Sequence, residues 1–114
     1  MTSMKERWHE VAQVTRRLKE ECPKETASFL NFMKEAEAGD ALPKKQRELI
    51  NIALAIATQC EWCIAFHVRN AVRAGVNRGE IIAAGIQAIV MRGGPAFMWM
   101  TPLFDAVDEF AQEE

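Results

Sequence analysis

T-Q-C-E-W-C-I-A-F-H, residues 58–67, sets two cysteines three apart and a histidine four residues after the second. A C-x-x-C-x-x-x-H stretch can hold a metal, run thiol redox chemistry or fill a core. On a helix, at about 100° per residue, Cys63 lies about 60° from Cys60 and His67 about 20° from it. All three then share a stripe, and Cys63 and His67 form an i, i+4 pair one turn apart. Thr58-Gln59-Cys60-Glu61 reads as T-x-x-E, a capping box with Thr58 as N-cap. Both cysteines would then lie in the first turn and a half, where unpaired amides and the positive end of the helix dipole favour thiolate over thiol. Glu48, 12 residues before Cys60, would sit about 18 Å away on one unbroken helix. If the chain folds back between Ala57 and Cys60, the helix bearing Glu48 packs antiparallel to the cysteine helix. Glu48 can then meet His67, fix its tautomer and strengthen it as a base, which completes a Glu–His–thiol arrangement. The competing reading leaves Glu48 solvated in the run K-K-Q-R-E, residues 44–48.

The surrounding sequence divides into helices. Ser3-Met4-Lys5-Glu6 is a capping box opening a segment with Met4, Trp8, Val11 and Leu18 on one stripe. Cys22-Pro23 ends it, and a second helix follows with Phe29, Phe32, Met33 and Ala36 inward, closed by Gly39. Pro43 suits the first turn of a third helix spanning 44–57. Gly75 marks the end of the cysteine helix, and Asn77-Arg78-Gly79-Glu80 the start of a fifth that runs to Arg92. Gly93-Gly94-Pro95 breaks the chain before a last helix with Phe97, Met100, Phe104, Val107 and Phe110 inward, then an acidic tail. No segment reads as a strand, a repeat or an interdomain linker. The expectation is one all-α domain over 1–114, about six helices, with the cysteine motif opening a central helix after a helix-turn-helix. The helices at 49–57 and 81–90 lack a clean polar face, and a helix apolar all round wants burial all round. So short a chain has limited interior to offer them, so a homo-oligomer is expected.

Composition limits the function classes. The 114 residues are 49% apolar and 26% charged, a globular balance, with a formal net charge of −2. No basic block gives an electrostatic footprint for nucleic acid. No apolar run approaches the roughly 18 residues of a membrane span, and the charged N-terminus lacks the apolar core of a signal peptide. A reducing cytoplasm is therefore expected, where a C-x-x-C is more often catalytic or metal-binding than a structural disulfide.

Glu48-x11-Cys60-x2-Cys63-x3-His67 resembles the signature of the AhpD-like alkylhydroperoxidases, within the carboxymuconolactone decarboxylase superfamily. A-G-V-N-R-G-E-I-I-A-A at 74–84 is similar to the segment that follows the cysteine helix in that family. M-R-G-G-P-A-F-M at 91–98 is similar to the glycine-rich turn of its small members. The resemblance implies an all-helical trimer or hexamer with dithiol chemistry of a peroxidase or disulfide-reductase type, an oxidoreductase role in antioxidant defence. It assigns the active-site roles to Glu48, Cys60, Cys63 and His67. In the reading adopted, Cys63 attacks the peroxide, Cys60 resolves the product, and His67, held by Glu48, acts as base through water. The assignment with Cys60 attacking stays open. The thiolate would become a sulfenic acid, condense with the second thiol to a disulfide, and be reset by an external dithiol. The resemblance implies a lipoyl-type or thioredoxin-like donor and no bound cofactor. Trp62 stands where the best-known members carry a histidine, so any proton path through that residue is absent here. The superfamily's true decarboxylases lack the cysteine pair, which argues against lactone decarboxylation.

Competing readings are plainer. C-x2-C-x3-H with Glu48 offers four zinc-type donors, but structural zinc sites draw a second ligand pair from elsewhere in the chain, and only His9 and Cys22 remain. Cys22 reads as a buried or half-buried filler and His9 as a surface residue. Trp62, Phe66, Trp99, Met91, Met98 and Met100 read either as core and subunit interface or as a pocket for an apolar peroxide. The competing function is a non-enzymatic redox-responsive or structural oligomer on the same scaffold.

Overall fold

The computed structural model describes residues 2–111. All regular structure among them is helical: α1 (Met4–Glu21), α2 (Pro23–Ala36), α3 (Lys44–Ala57), α4 (Glu61–Arg73), α5 (Arg78–Arg92), the single-turn α6 (Gly94–Met98) and α7 (Met100–Ala111). The expected acidic tail lies outside the described residues.

Local chemistry sets most of the boundaries. Ser3 Oγ accepts from the Glu6 amide while the Glu6 carboxylate accepts from the Ser3 amide, and Asn77 and Glu80 do the same for α5. Such reciprocal caps satisfy helix-end donors that have no partner within the helix, each worth roughly 1 kcal/mol. Glu109 of α7 accepts from the Met4 and Lys5 amides, so the start of α1 is tied to the end of the chain. Gly75, at φ +87, ends α4 in a Schellman turn: the Val76 amide donates to Ala71 O and the Gly75 amide to Val72 O.

One contiguous core joins α3, α4, α5 and α7, closed at one end by Met4 of α1. Its largest fully buried side chains are Phe110, Ile52, Ile56, Ile64, Ile81, Leu103, Val68 and Val107. Each such group contributes about 1.5–3 kcal/mol by leaving water. α3 lies against α4 and α5, and α4 against α7 and α1, whereas α2 packs chiefly on α1.

Several expectations for inward residues fail. Phe29 and Phe32 of α2 are 61% and 64% exposed, and Thr26 is the one buried residue of that helix. Phe97 and Phe104 also face solvent, as does Leu18, while Met100, Val107 and Phe110 are buried as expected. The cause is a lack of cover: α2 packs chiefly on α1, and among the described residues little else closes over the side that carries Phe29 and Phe32. Cys22 is exposed rather than buried, because it sits at the tight corner between α1 and α2. Gly39 does not close α2; the helix ends at Ala36 with Glu37 as C-cap, and the Gly39 carbonyl instead accepts from Arg47 Nη1 at 2.6 Å. His9 is exposed as expected.

Candidate functional site

The connection from α3 to α4 takes three residues. Thr58 is the C-cap of α3, Gln59 takes φ +57, and Cys60 is the N-cap of α4. The Cys60 amide donates to Ala55 O at 3.1 Å and the Gln59 amide to Ile56 O at 3.2 Å, again a Schellman turn. Gln59 occupies the left-handed position usually given to glycine, a conformation that costs a residue with a Cβ roughly 1–2 kcal/mol.

The expected cap is thereby corrected. Thr58 does not start α4; its hydroxyl donates back to Leu54 O at 2.8 Å and helps finish α3. Cys60 takes the N-cap place, in extended conformation, and its sulfur accepts from the Cys63 amide at 3.1 Å. Cys60 therefore sits at the helix mouth rather than on the helical stripe, and Cys63 is the third residue of α4. The two sulfurs form a disulfide across a Cα–Cα distance of 5.2 Å. Both cysteines are half-buried.

The bend returns α4 alongside α3, and Glu48 meets His67. Glu48 Oε1 lies 2.8 Å from His67 Nδ1. Glu48 is 4% exposed, so the reading of a solvated charge run does not hold at this position. A carboxylate only accepts, so Nδ1 carries the hydrogen, and in the neutral ring Nε2 is then the remaining acceptor. His67 is one turn beyond Cys63 on the same face of α4. All four residues singled out by their spacing are thus gathered around one helix-turn-helix.

A second group beside the cysteines had no signal in local spacing. Trp62, between the cysteines, donates Nε1–H to Glu10 of α1 at 2.9 Å. Arg7 donates to the same Glu10 oxygen at 2.9 Å, lies 3.7 Å from Glu61, and sets its guanidinium 4.8 Å from the centre of the Trp62 ring. The hydrogen bond from Arg7, followed by that from Trp62, holds the Glu10 carboxyl below its ordinary range. The bond to Glu10 in turn raises Arg7 above its already high value. Glu10 and Trp62 are 52 residues apart, and nothing in the sequence reading placed α1 beside the motif.

A cavity of about 470 Å³ opens onto the Glu48–His67 pair, lined by α2, α3 and α4. Phe66 lines this cavity, Trp62 lines a groove along α1, and Met98 and Trp99 line a third depression. Met100 is in the core and Met91 is 83% exposed. The aromatic and methionine residues therefore do not converge on one peroxide pocket. No group of three or more His, Cys, Asp or Glu gathers in metal-holding geometry among the described residues. Nor is any helix among them long and apolar enough to cross a membrane.

Comparison with known proteins is consistent across sequence and structure. A sequence model of the carboxymuconolactone decarboxylase family matches residues 23–106. An uncharacterised protein encoded in a cox locus of Paracoccus denitrificans is 38% identical over 82 residues, 72% of this chain and 74% of that one. An uncharacterised protein of Cupriavidus necator is 31% identical over 110 residues, 94% of this chain and 97% of that one. The crystal structure of an apo carboxymuconolactone decarboxylase family protein from Legionella pneumophila superposes with a TM-score of 0.89. It is 30% identical, over 95% of this chain and 96% of that one.

Proposed function

The chain belongs to the carboxymuconolactone decarboxylase family, and from that premise we propose that it is a dithiol oxidoreductase of the AhpD-like type, reducing hydroperoxides or disulfides through Cys60 and Cys63. The observation that carries the reading is the buried Glu48–His67 contact of 2.8 Å, one helical turn from a cysteine pair joined at the mouth of α4. Neither part alone is diagnostic. Together they supply a nucleophile, a base and a group that orients the base.

The cycle begins from the dithiol. His67 Nε2, acting through water, draws the proton from Cys63, and the thiolate attacks the terminal oxygen of a hydroperoxide. The O–O bond breaks, the alkoxide takes a proton and leaves as an alcohol, and Cys63 becomes a sulfenic acid. The Cys60 thiol displaces hydroxide, which leaves as water, and the disulfide forms. An external dithiol of lipoyl or thioredoxin-like kind then exchanges with it, leaving as the oxidised donor. No bound cofactor enters the cycle.

Cys60 Sγ accepting the Cys63 amide favours a second assignment, in which Cys60 is the stabilised thiolate and attacks first. Single variants separate the two. With one equivalent of hydroperoxide, Cys60→Ser should still give a sulfenic acid trapped by dimedone, and Cys63→Ser should not; the reverse pattern exchanges the roles.

The reduced pair should alkylate below about pH 7, as an activated dithiol does. Glu48→Gln keeps an acceptor for Nδ1–H but removes the charge, so it should slow both alkylation and peroxide-driven disulfide formation by about ten- to a hundred-fold, in the range found when a group that orients a functional histidine is lost. Slow alkylation in the wild type, with no turnover on any dithiol donor, would instead leave a non-enzymatic oligomer on this scaffold. Exposed Ile50 and Leu54 on α3, with Ile86, Val90 and Met91 on α5, support a homo-oligomer, trimer or hexamer, which light scattering would count.

A further inference from the structure

The cavity above Glu48 and His67 has two kinds of wall. Leu30 and Met33 of α2 and Phe66 of α4 form an apolar side. Lys34, at the end of α2, and Lys44, at the start of α3, stand at the exposed rim with Arg47 and Glu37. The last two neutralise each other: Arg47 Nε lies 3.4 Å from a Glu37 oxygen, and Glu37 also accepts from Asn51 at 3.1 Å. Arg47 is further occupied by the carbonyls of Gly39 and Leu42. Glu48 is taken by His67. Among the described residues neither lysine has a carboxylate within ion-pair distance. Lys34 and Lys44 thus line the cavity without an ion-pair partner among the described residues, beside apolar side chains, and the same lining includes the imidazole of His67, one helical turn after Cys63 on α4.

We propose that this cavity binds an amphiphilic organic acid, its carboxylate at Lys34 and Lys44 and its alkyl chain along Leu30, Met33 and Phe66, and that the hydroperoxide reduced here is carried on such an acid. The inference rests on the dithiol reading for its second half. A volume of about 470 Å³ is within the range of pockets that enclose a small organic molecule. Uncompensated charge at a mouth steers and orients an anion, whereas an apolar wall alone would not tell an acid from its ester. The reaction is that of the proposed cycle: the carboxylate-bearing hydroperoxide takes two electrons from the dithiol, one oxygen leaves as water, and the hydroxy acid and the disulfide remain.

Binding is measured first, on the disulfide form, so that no chemistry intervenes. Octanoate and octan-1-ol are titrated by NMR chemical shifts into the wild type and into a Lys34→Gln, Lys44→Gln double variant. Both lysines are exposed, and a urea midpoint checks that the variant folds. Octanoate should bind about ten-fold tighter than octanol, as expected for two charge-assisted contacts, with shifts at Phe66 and Asn70, and the double variant should bring the two ligands to parity. Equal affinities in the wild type, or an acid preference that survives in the variant, overturn the inference whatever peroxides do. The reduced enzyme is then mixed with a medium-chain hydroperoxy fatty acid and with its methyl ester. A faster acid, with the ratio falling to about one in the double variant, supports the whole proposal. Lysine-dependent octanoate binding with no disulfide formed from any hydroperoxide would overturn the peroxide half together with the dithiol reading, while the acid-binding cavity stands.

Discussion

Two helix-turn-helix units of similar size meet opposite fates in this molecule. In α3–α4, Ile52, Ala55, Ile56, Ile64, Ala65, Val68, Ala71 and Val72 are all buried. In α1–α2, burial is confined to Met4 at one end and Thr26 near the turn, while Val14, Leu18, Phe29 and Phe32 face outward. Both units carry apolar residues at helical spacing. The difference is cover: α3 and α4 are walled by α5, α7 and the start of α1, whereas α2 packs chiefly on α1. An amphipathic pattern states which face seeks burial; whether burial occurs depends on a partner surface elsewhere in the chain or on another copy. The well-walled unit carries the cysteines and the Glu48–His67 contact, which need fixed geometry. The thinly walled one supplies α2, one side of the cavity.

The sharpest way to break this contrast is to remove matched side chains from the two units. Ile52→Ala, in the fully buried centre of α3, should cost about 2–5 kcal/mol in urea denaturation; a loss below 1 kcal/mol would mean the core can collapse into the gap.

A smaller effect is expected where α1 meets the motif. Glu10 has its folded carboxyl held below the ordinary range by Arg7 and Trp62. Its contribution is therefore fully present above the unfolded value of about 4.3 and is lost as pH falls through the lower folded value. Trp62 fluorescence, isolated by difference against Trp62→Phe, should change over that acidic window and not near neutrality. Glu10→Gln should abolish the transition, and identical curves for variant and wild type would remove Glu10 from the contact. The effect on stability is modest because the side chain is 42% exposed.

The smallest effect is expected at the exposed end of the comparison. Phe29→Ser and Phe32→Ser should change the stability of the isolated chain by less than about 0.5 kcal/mol. A loss above 1 kcal/mol that grows with protein concentration would show that α2 is covered by another copy.

How much of this was legible before the fold was known can be read from particular turns. Ser3-x-x-Glu6 and Asn77-x-x-Glu80 announce their helices because each cap is closed by residues three apart. Gly75 announces the end of α4 because glycine enters the left-handed region without strain. Gln59 performs the same turn with no such signal. Thr58-x-x-Glu61 had the form of a cap and was not one: a threonine hydroxyl can also bond back to the preceding turn, and Glu61 lies instead beside Arg7. The closeness of Glu48 to His67 was half legible: a bend near Thr58 puts the two at similar depth on antiparallel helices, but only the packing of α3 on α4 decided that both side chains face each other.

Spacing along the chain determined most of the helices, the all-α class and the placing of Cys63 one turn before His67, but it joined α6 and α7 into one last helix and left the side of α3 that carries Glu48 open. What it determined are properties of a few neighbouring residues and the 3.6-residue turn. Only the tertiary structure decided which apolar faces were covered, that Cys60 rather than Thr58 caps α4, that Glu10 and Arg7 clasp Trp62, and that Lys34 and Lys44 line the same cavity as His67. Those outcomes depend on residues tens of positions apart being brought together, and their contact energies exist only after the chain has closed.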